Sequence, residues 1–358
     1  VRTFYDGPPW AILDPAPLYL PINNARYPWN IREARKALSY AIDRDALNEI
    51  GMEGMSPPYP GWFGHYIAPK WKDLMLEKYQ NEYPDLLTYD PAKTAEIFTS
   101  LGWTKGSDGI WVTDNGTRVT FEMLIVTDWP YIKTYGEQMT DQLRDVGIDA
   151  TNKEFPWGPF ADAWDLGEWD GNAMWKDPFT VYEPYGTLEW FHSKYYAPIG
   201  EMSYYMNNVR FRNAAYDAII DQMAVMSPDD PAYVDLVSQA LDILYDEMAV
   251  ICTIEDAFII PYNTKYWTNW PTSENFYTYG HIAYAVAGHF AILNLVPQNI
   301  PTSTVYFTKD TTKFRGIDQT WYGPFKSGDS AIIPTDDAEY LISKGKASLT
   351  PPAPQAVD

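Results

Sequence analysis

Ile31-Arg32-Glu33-Ala34-Arg35-Lys36-Ala37-Leu38-Ser39-Tyr40-Ala41-Ile42-Asp43-Arg44 is the stretch on which the fold turns. Ile31, Ala34, Leu38, Ala41 and Ile42 recur at helical spacing, so one apolar stripe faces a core. Asp43-Arg44-Asp45 breaks that pattern, and Asp45 is placed to cap a second short helix ending near Gly51. Upstream the chain is proline-rich, with one short strand signal at Leu18–Asn23. Downstream, Asp90-Pro91 pairs a capping carboxylate with proline at the first helical position, and Gly102 closes the turn that follows. Ile110–Thr113 and Thr117–Val126 flank Asp114-Asn115-Gly116, a hairpin signal. Asn115-Gly116-Thr117 also reads as a glycosylation sequon; the turn is the reading adopted.

Farther out, strand and helix signals alternate. Ile132, Tyr135, Met139, Leu143 and Val146 mark an amphipathic helix closed by Gly147. Strands are expected at 148–153 and 170–176, with a helical pattern near 160–166 between them. Two more helices are expected at 211–226 and from Asp230-Pro231 to Met248, then strands at 249–253 and 257–262. The alternation argues for an α/β lobe. From Gly328 the composition turns to Pro, Ser, Thr and Lys, which predicts a linker-like tail.

Length and composition bound the function. The 358 residues suit two domains, and 46 % hydrophobic content supports a core. Net charge is −22, with 48 acidic against 26 basic residues, the wrong balance for a nucleic-acid partner. The lone cysteine, Cys252, has no disulfide or CxxC partner and reads as a buried inert thiol. No apolar stretch is long enough for a membrane span. GxSxG, P-loop and GxGxxG motifs are absent, and His65, His192, His281 and His289 lack HExxH spacing. No catalytic residue, metal or cofactor is therefore expected. Loop carboxylates (Glu168, Asp170, Asp177, Glu183, Glu189) keep a glycoside hydrolase or carbohydrate-binding module in view as a rival class, but among 48 acids they carry no specific signal.

The distinctive number is aromatic: 15 Trp, 28 Tyr and 15 Phe. Flat rings in loops, interleaved with Asp and Asn, suit a sugar, whose C–H faces stack while rim groups bond its hydroxyls. Trp157, Trp169, Asn172, Trp175, Asp177 and Trp190 form one such wall, and Trp267, Trp270 and Asn275 a second. Trp164, inside a helical pattern, is assigned to the core.

The residues at 31–44 resemble the VRQALSYAIDR signature of family 5 extracellular solute-binding proteins, the dipeptide, oligopeptide, nickel and oligosaccharide receptors of ABC importers. Asp90-Pro91-Ala92-Lys93-Thr94-Ala95 resembles that family's YDPEKAKALLAEAG helix, completed by Leu101-Gly102-Trp103. Gln138–Ile148 resembles its IQEQLKKIGI helix. The resemblance runs through residues 15–300, and Trp267–Asn275 with 316–325 is closer to the oligosaccharide branch. It implies a periplasmic-binding-protein-like type II lobe, a mixed sheet flanked by helices, plus a segment returning to the first lobe. The implied division is 1–27, first-lobe remnant and crossing strand; 28–256, second lobe; 257–315, returning segment; 316–358, C-terminal extension and linker-like tail. It also implies hinges near Asn23–Tyr27 and Glu255–Pro261, an extracytoplasmic location, an ABC permease as partner, and an N-terminal lobe that these residues do not include. The small-molecule ligand expected is an oligosaccharide. A peptide is the alternative, disfavoured by the scarcity of basic residues beyond Lys176 and Lys194.

Overall fold

The structure, a computed structural model, describes residues 3–351 apart from 6, 8–9, 15, 60–68, 176–183 and 279–284. It divides into two units, Leu13–Ala257 and Val1–Ile12 with Phe258–Asp358.

The larger unit is built on a five-stranded mixed sheet: β1 (Leu18–Pro21), β2 (Thr120–Val126), β3 (Asp149–Phe155), β4 (Gly171–Trp175) and β5 (Val250–Cys252). Their spatial order is β3-β2-β4-β1-β5. β2 pairs in parallel with β3, bringing Val126 opposite Phe155, and in parallel with β4, bringing Ile125 opposite Ala173. β1 is antiparallel to both β4 and β5. The helices are α1 (Arg32–Ala41), α2 (Arg44–Gly51), α3 (Pro69–Glu82), α4 (Pro91–Ser100), α5 (Pro130–Asp145), α6 (Trp157–Leu166), α7 (Ala214–Met223) and α8 (Pro231–Glu247). Several helix starts follow from capping chemistry: Asp90 accepts from Lys93 N–H, Asn213 from Ala215 and Tyr216, Asp230 from Ala232. This is the α/β lobe expected from the alternation.

The 31–44 stretch is structural. Ala34, Ala37, Leu38 and Ala41 are fully buried, and so are both of its inner arginines. Arg35 donates to the carbonyls of Trp29 (2.9 Å), Glu247 (2.7 Å) and Met248 (3.2 Å), bolting α1 to the end of α8. Arg44 donates to the carbonyls of Cys252 (2.9 Å), Ile42 (3.0 Å), Ser39 (3.1 Å) and Leu87 (3.2 Å) and to Ser39 Oγ (2.8 Å). One guanidinium thus satisfies the frayed end of α1, a neighbouring loop and strand β5. Burial pulls its pKa down to about 10, so it stays charged at neutral pH. Asp43, rather than Asp45, caps α2, accepting from Ala46 N–H; Asp45 lies inside the first turn, where a carboxylate favours the helix dipole.

α5 lies so close to the sheet that a Cβ on Gly136 would come 2.7 Å from Ala173 Cβ and 2.9 Å from Ile125. Only glycine fits that approach.

Three boundaries differ from expectation. Leu18–Pro21 is an interior strand of this lobe and not part of a first-lobe remnant ending at 27. The chain passes between units at Ile12–Leu13 and Ala257–Phe258, so Asn23–Tyr27 is no crossing point. Asn24 instead donates to carbonyls of Ile22, Val209 and Ala249, pinning it within the lobe.

The third concerns the C-terminal region. In place of a linker-like tail from Gly328, β6 (Thr302–Phe307), β7 (Ser330–Pro334) and β8 (Ala347–Ser348) form an antiparallel sheet in the order β7-β6-β8, with α9 (Thr335–Ser343) beside it. Val305, Phe307, Ile333, Ala338, Leu341 and Ala347 form its core, and Phe307 stacks on Phe325 at 4.1 Å. Short strands and one nine-residue helix bury enough apolar area here despite the polar composition, because the strands alternate and Ala338 and Leu341 share a helix face. Elsewhere in this smaller unit, Trp267-Thr268 pairs with Val296-Pro297, and Tyr262 stacks on Trp270 at 4.8 Å.

Candidate functional site

The connections of the parallel strands locate a crevice. From β2 the chain leaves through α5 to β3 on one side; from β3 it leaves through α6 and crosses β2 to reach β4. Right-handed crossovers in opposite directions put the two helices on opposite faces of the sheet. The loops leaving β2 and β3 therefore part, and the opening outside their carboxyl ends is the topological switch point where α/β sheets bind ligands.

The residues there are Thr127-Asp128-Trp129 after β2 and Pro156-Trp157 after β3. Before they part, the two loops are joined at the strand ends: Thr127 N–H donates to Phe155 O (2.9 Å) and Trp157 N–H to Asp128 Oδ2 (2.8 Å). Trp129 and Trp157 are half-buried, with ring centroids 5.1 Å apart at 69°, and Phe160 lies 5.9 Å beneath Trp157 in a stacked arrangement. Phe160 backs Trp157, Trp157 in turn meets Trp129 edge to face, and part of each indole stays accessible. Trp157 was expected from the sequence; Trp129 and Asp128 were not. Their signal was aromatic residues at two successive strand-to-helix turns, Trp129-Pro130 and Pro156-Trp157, which becomes informative once the strand order is known.

Behind this edge is a buried acidic group. Asp256 and Asp14 are both buried, and Asp14 N–H donates to Asp256 O (2.8 Å). Burial and the nearby Asp14 charge push the Asp256 carboxyl well above the usual carboxylate range, and Tyr131 on the first turn of α5 hydrogen-bonds to it. These acids hold neighbouring segments of the lobe together.

Three residues expected in the ligand wall are core residues. Trp169 is fully buried, its indole N–H donating to Trp164 O (3.0 Å). Trp190 is 3 % exposed and donates to Tyr205 O (2.5 Å). Asn172 is fully buried, with neither amide atom hydrogen-bonded among the described residues. For Asn172 the reason is positional, because β4 is the middle strand of five and its side chains have no path to a surface ligand; Trp169 and Trp190 lie outside β4, and each is instead tied inward by its indole N–H. Asp170, at the opposite end of β4 from the crevice, is likewise a pin: it meets Arg26 at 2.8 Å and accepts from Glu122 N–H. Burial raises its pKa to about 6 despite that arginine. Trp164, assigned to the core, is half-buried. Of Trp175 only the backbone is described, and Asp177 lies outside the described residues. Trp267 and Asn275 are exposed and Trp270 half-buried, all in the smaller unit.

A second concavity, about 220 Å³, sits among α1, the end of α3 and the end of α8. Its charged rim is paired internally, Lys36 to Asp246 at 2.7 Å and Lys78 to Glu82 at 3.0 Å, and it is not at the carboxyl edge of the sheet. Among the described residues no group of three His, Cys, Asp or Glu is poised for a metal ion, and no helix is long and apolar enough to cross a membrane.

With this geometry in hand, the chain was compared with known proteins. Residues 11–195 match the model of bacterial extracellular solute-binding proteins, family 5 Middle, and residues 303–349 match that of the Gins51 C-terminal domain. A mannohexaose-bound periplasmic oligopeptide-binding protein from Thermotoga maritima superposes with a TM-score of 0.69 at 21 % identity, covering 83 % of this chain and 55 % of that one. A probable ABC transporter-binding protein of Deinococcus radiodurans is 27 % identical over 119 residues, 32 % of this chain and 18 % of its own length. A glutathione-binding protein of Salmonella choleraesuis is 32 % identical over 98 residues, 27 % of this chain and 17 % of its own. The chain thus spans little more than half of the solved relative.

Proposed function

Since the chain belongs to the bacterial extracellular solute-binding proteins of family 5, we propose that it forms one wall of an extracytoplasmic receptor that delivers an extended polar solute to an ABC permease. The observation that carries this is the switch-point crevice bearing Trp129, Trp157 and Asp128. Two half-exposed indoles held at a fixed angle offer apolar area to the C–H faces of a sugar, and the free oxygen of Asp128 can accept from hydroxyls. We infer an oligosaccharide as the solute. We also propose Trp267, Trp270 and Asn275, within the smaller unit taken by itself, as sugar-contacting residues. The opposing wall comes from an N-terminal lobe. Ligand contacting both walls stabilises a closed state, which the permease then reads. No chemical step is required of the protein.

A peptide is the second reading, favoured by the stretch shared with the glutathione-binding relative. Titration calorimetry on the full-length receptor separates the two. Heat with manno- or cello-oligosaccharides, weakened at least tenfold by Trp157→Ala, supports the sugar reading. Heat with oligopeptides alone overturns it. Release of chromophore from chromogenic glycosides would overturn the receptor reading itself.

A further inference from the structure

Asn115-Gly116-Thr117 is the only Asn-X-Ser/Thr triplet in the 358 residues, and the switch-point site makes no use of it. The three residues cap the hairpin that precedes β2, and residues 114–118 are all exposed. Thr113 N–H donates to Thr117 O (2.8 Å) and Gly116 N–H to Thr113 O (2.9 Å), closing a tight loop in which Gly116 takes φ +85°. That dihedral is costly for any side chain, so glycine at the middle position is demanded by the turn itself.

The asparagine side chain is held in one orientation. Its Oδ1 accepts from Thr117 Oγ1 (2.7 Å), Thr113 Oγ1 (2.8 Å) and Thr117 N–H (3.1 Å). All three donors lie on the oxygen side. Nδ2 has no hydrogen-bond partner among the described residues and is left to solvent at the tip of the loop. Two hydroxyls and an amide drawing electron density through Oδ1 make the carboxamide N–H more acidic, which is the property needed if Nδ2 is to lose a proton as it forms a new bond.

We propose that Asn115 is an acceptor for an N-linked glycan. The donor is an oligosaccharide joined through its anomeric carbon to a polyprenyl phosphate or diphosphate, presented by a membrane transferase on the outer face of the membrane. Nδ2 forms a bond to the anomeric carbon; the bond from that carbon to the phosphate oxygen breaks; the lipid phosphate leaves with the electron pair; and one Nδ2 proton passes to a base of the transferase. No oxidant or reductant enters. A glycan there projects into water from an exposed loop, where its bulk disturbs no packing.

The test is a peptide mass map of the receptor purified from the extracytoplasmic fraction of its own host, with protease accessibility of intact cells confirming its location. The 113–118 peptide is expected to carry a mass increment made of whole sugar residues. Thr117→Ser should retain the increment and Thr113→Val, which removes one of the two hydroxyls on Oδ1, should lower the modified fraction, while Thr117→Val and Asn115→Gln should abolish it. Comparison of the two Thr117 variants keeps the test meaningful if Asn115→Gln misfolds. Three outcomes overturn the proposal: an unmodified peptide from protein shown to be outside the membrane, a peptide changed only by deamidation at Asn-Gly, or an increment that survives Thr117→Val. Each leaves the receptor reading standing, because none bears on the crevice.

Discussion

Replacing Arg44 with methionine removes a guanidinium of similar length and leaves its carbonyl partners behind. Cys252, Ile42 and Leu87 carbonyls lose a donor, as does Ser39 Oγ, while the Ser39 carbonyl keeps the N–H of Ile42. A buried acceptor left without its donor costs about 1–3 kcal/mol. Three carbonyls set a gross loss of about 3–9 kcal/mol, offset by no longer burying a cation. A net destabilisation of about 3 kcal/mol is expected, a large share of the about 5–15 kcal/mol typical of a folded domain. Arg44→Lys keeps the charge but concentrates it at one point, which cannot reach both Cys252 and Leu87, so about half the loss should remain. Arg32→Met is the control: Arg32 meets Asp246 at 2.6 Å, but both side chains are about half exposed, and such pairs contribute under about 1 kcal/mol. Urea unfolding of the chain followed by tryptophan fluorescence measures all three. Arg44→Met within about 0.5 kcal/mol of wild type, the scatter of an ordinary surface substitution, would falsify the view that this arginine is a structural bolt. So would equal losses for the methionine and lysine variants.

Other expectations follow from the same geometry. The Asp170 carboxyl is raised from its ordinary 3.8 to about 6, so the folded state binds more protons between those values; its contribution is fully present below pH 3.8 and lost as pH rises through 6. The loss is about 3 kcal/mol, and Asp170→Asn should remove that segment of a stability-versus-pH curve. Gly136→Ala places a methyl 2.7 Å from Ala173 Cβ and should cost about 1–3 kcal/mol by overpacking; an unchanged urea midpoint would count against the observed α5-to-sheet distance. Trp157→Ala should weaken oligosaccharide binding with little effect on stability, whereas Trp169→Ala should cost about 3–5 kcal/mol as a core truncation. If calorimetry and denaturation rank those two tryptophans the other way, the division into crevice and core residues is mistaken.

Local signals carried most of the element boundaries. Asp90-Pro91 and Asp230-Pro231 are legible because a cap and a proline act within one turn, and the 31–44 stripe because its period is local. The family signature was also legible, although its arginines serve carbonyls more than 200 residues away that no sequence reading names. Helix α3 and the 302–348 sheet went unread: in one the apolar spacing is irregular, and in the other each strand is short and gains its burial from distant partners. Among the expected ligand residues, Trp157 sits at the crevice, while Trp169 and Trp190 do not.

Chain order thus determined the class of fold and the family, since periodicity, caps and turns are properties of neighbours along the backbone. Which tryptophan meets solvent and which meets the core was decided only by tertiary partners: the carbonyls of Trp164 and Tyr205 hold Trp169 and Trp190 inside, while Trp157 sits where the loops after β2 and β3 part. An indole has the same chemistry in both places; the tertiary fold alone sets what lies against it.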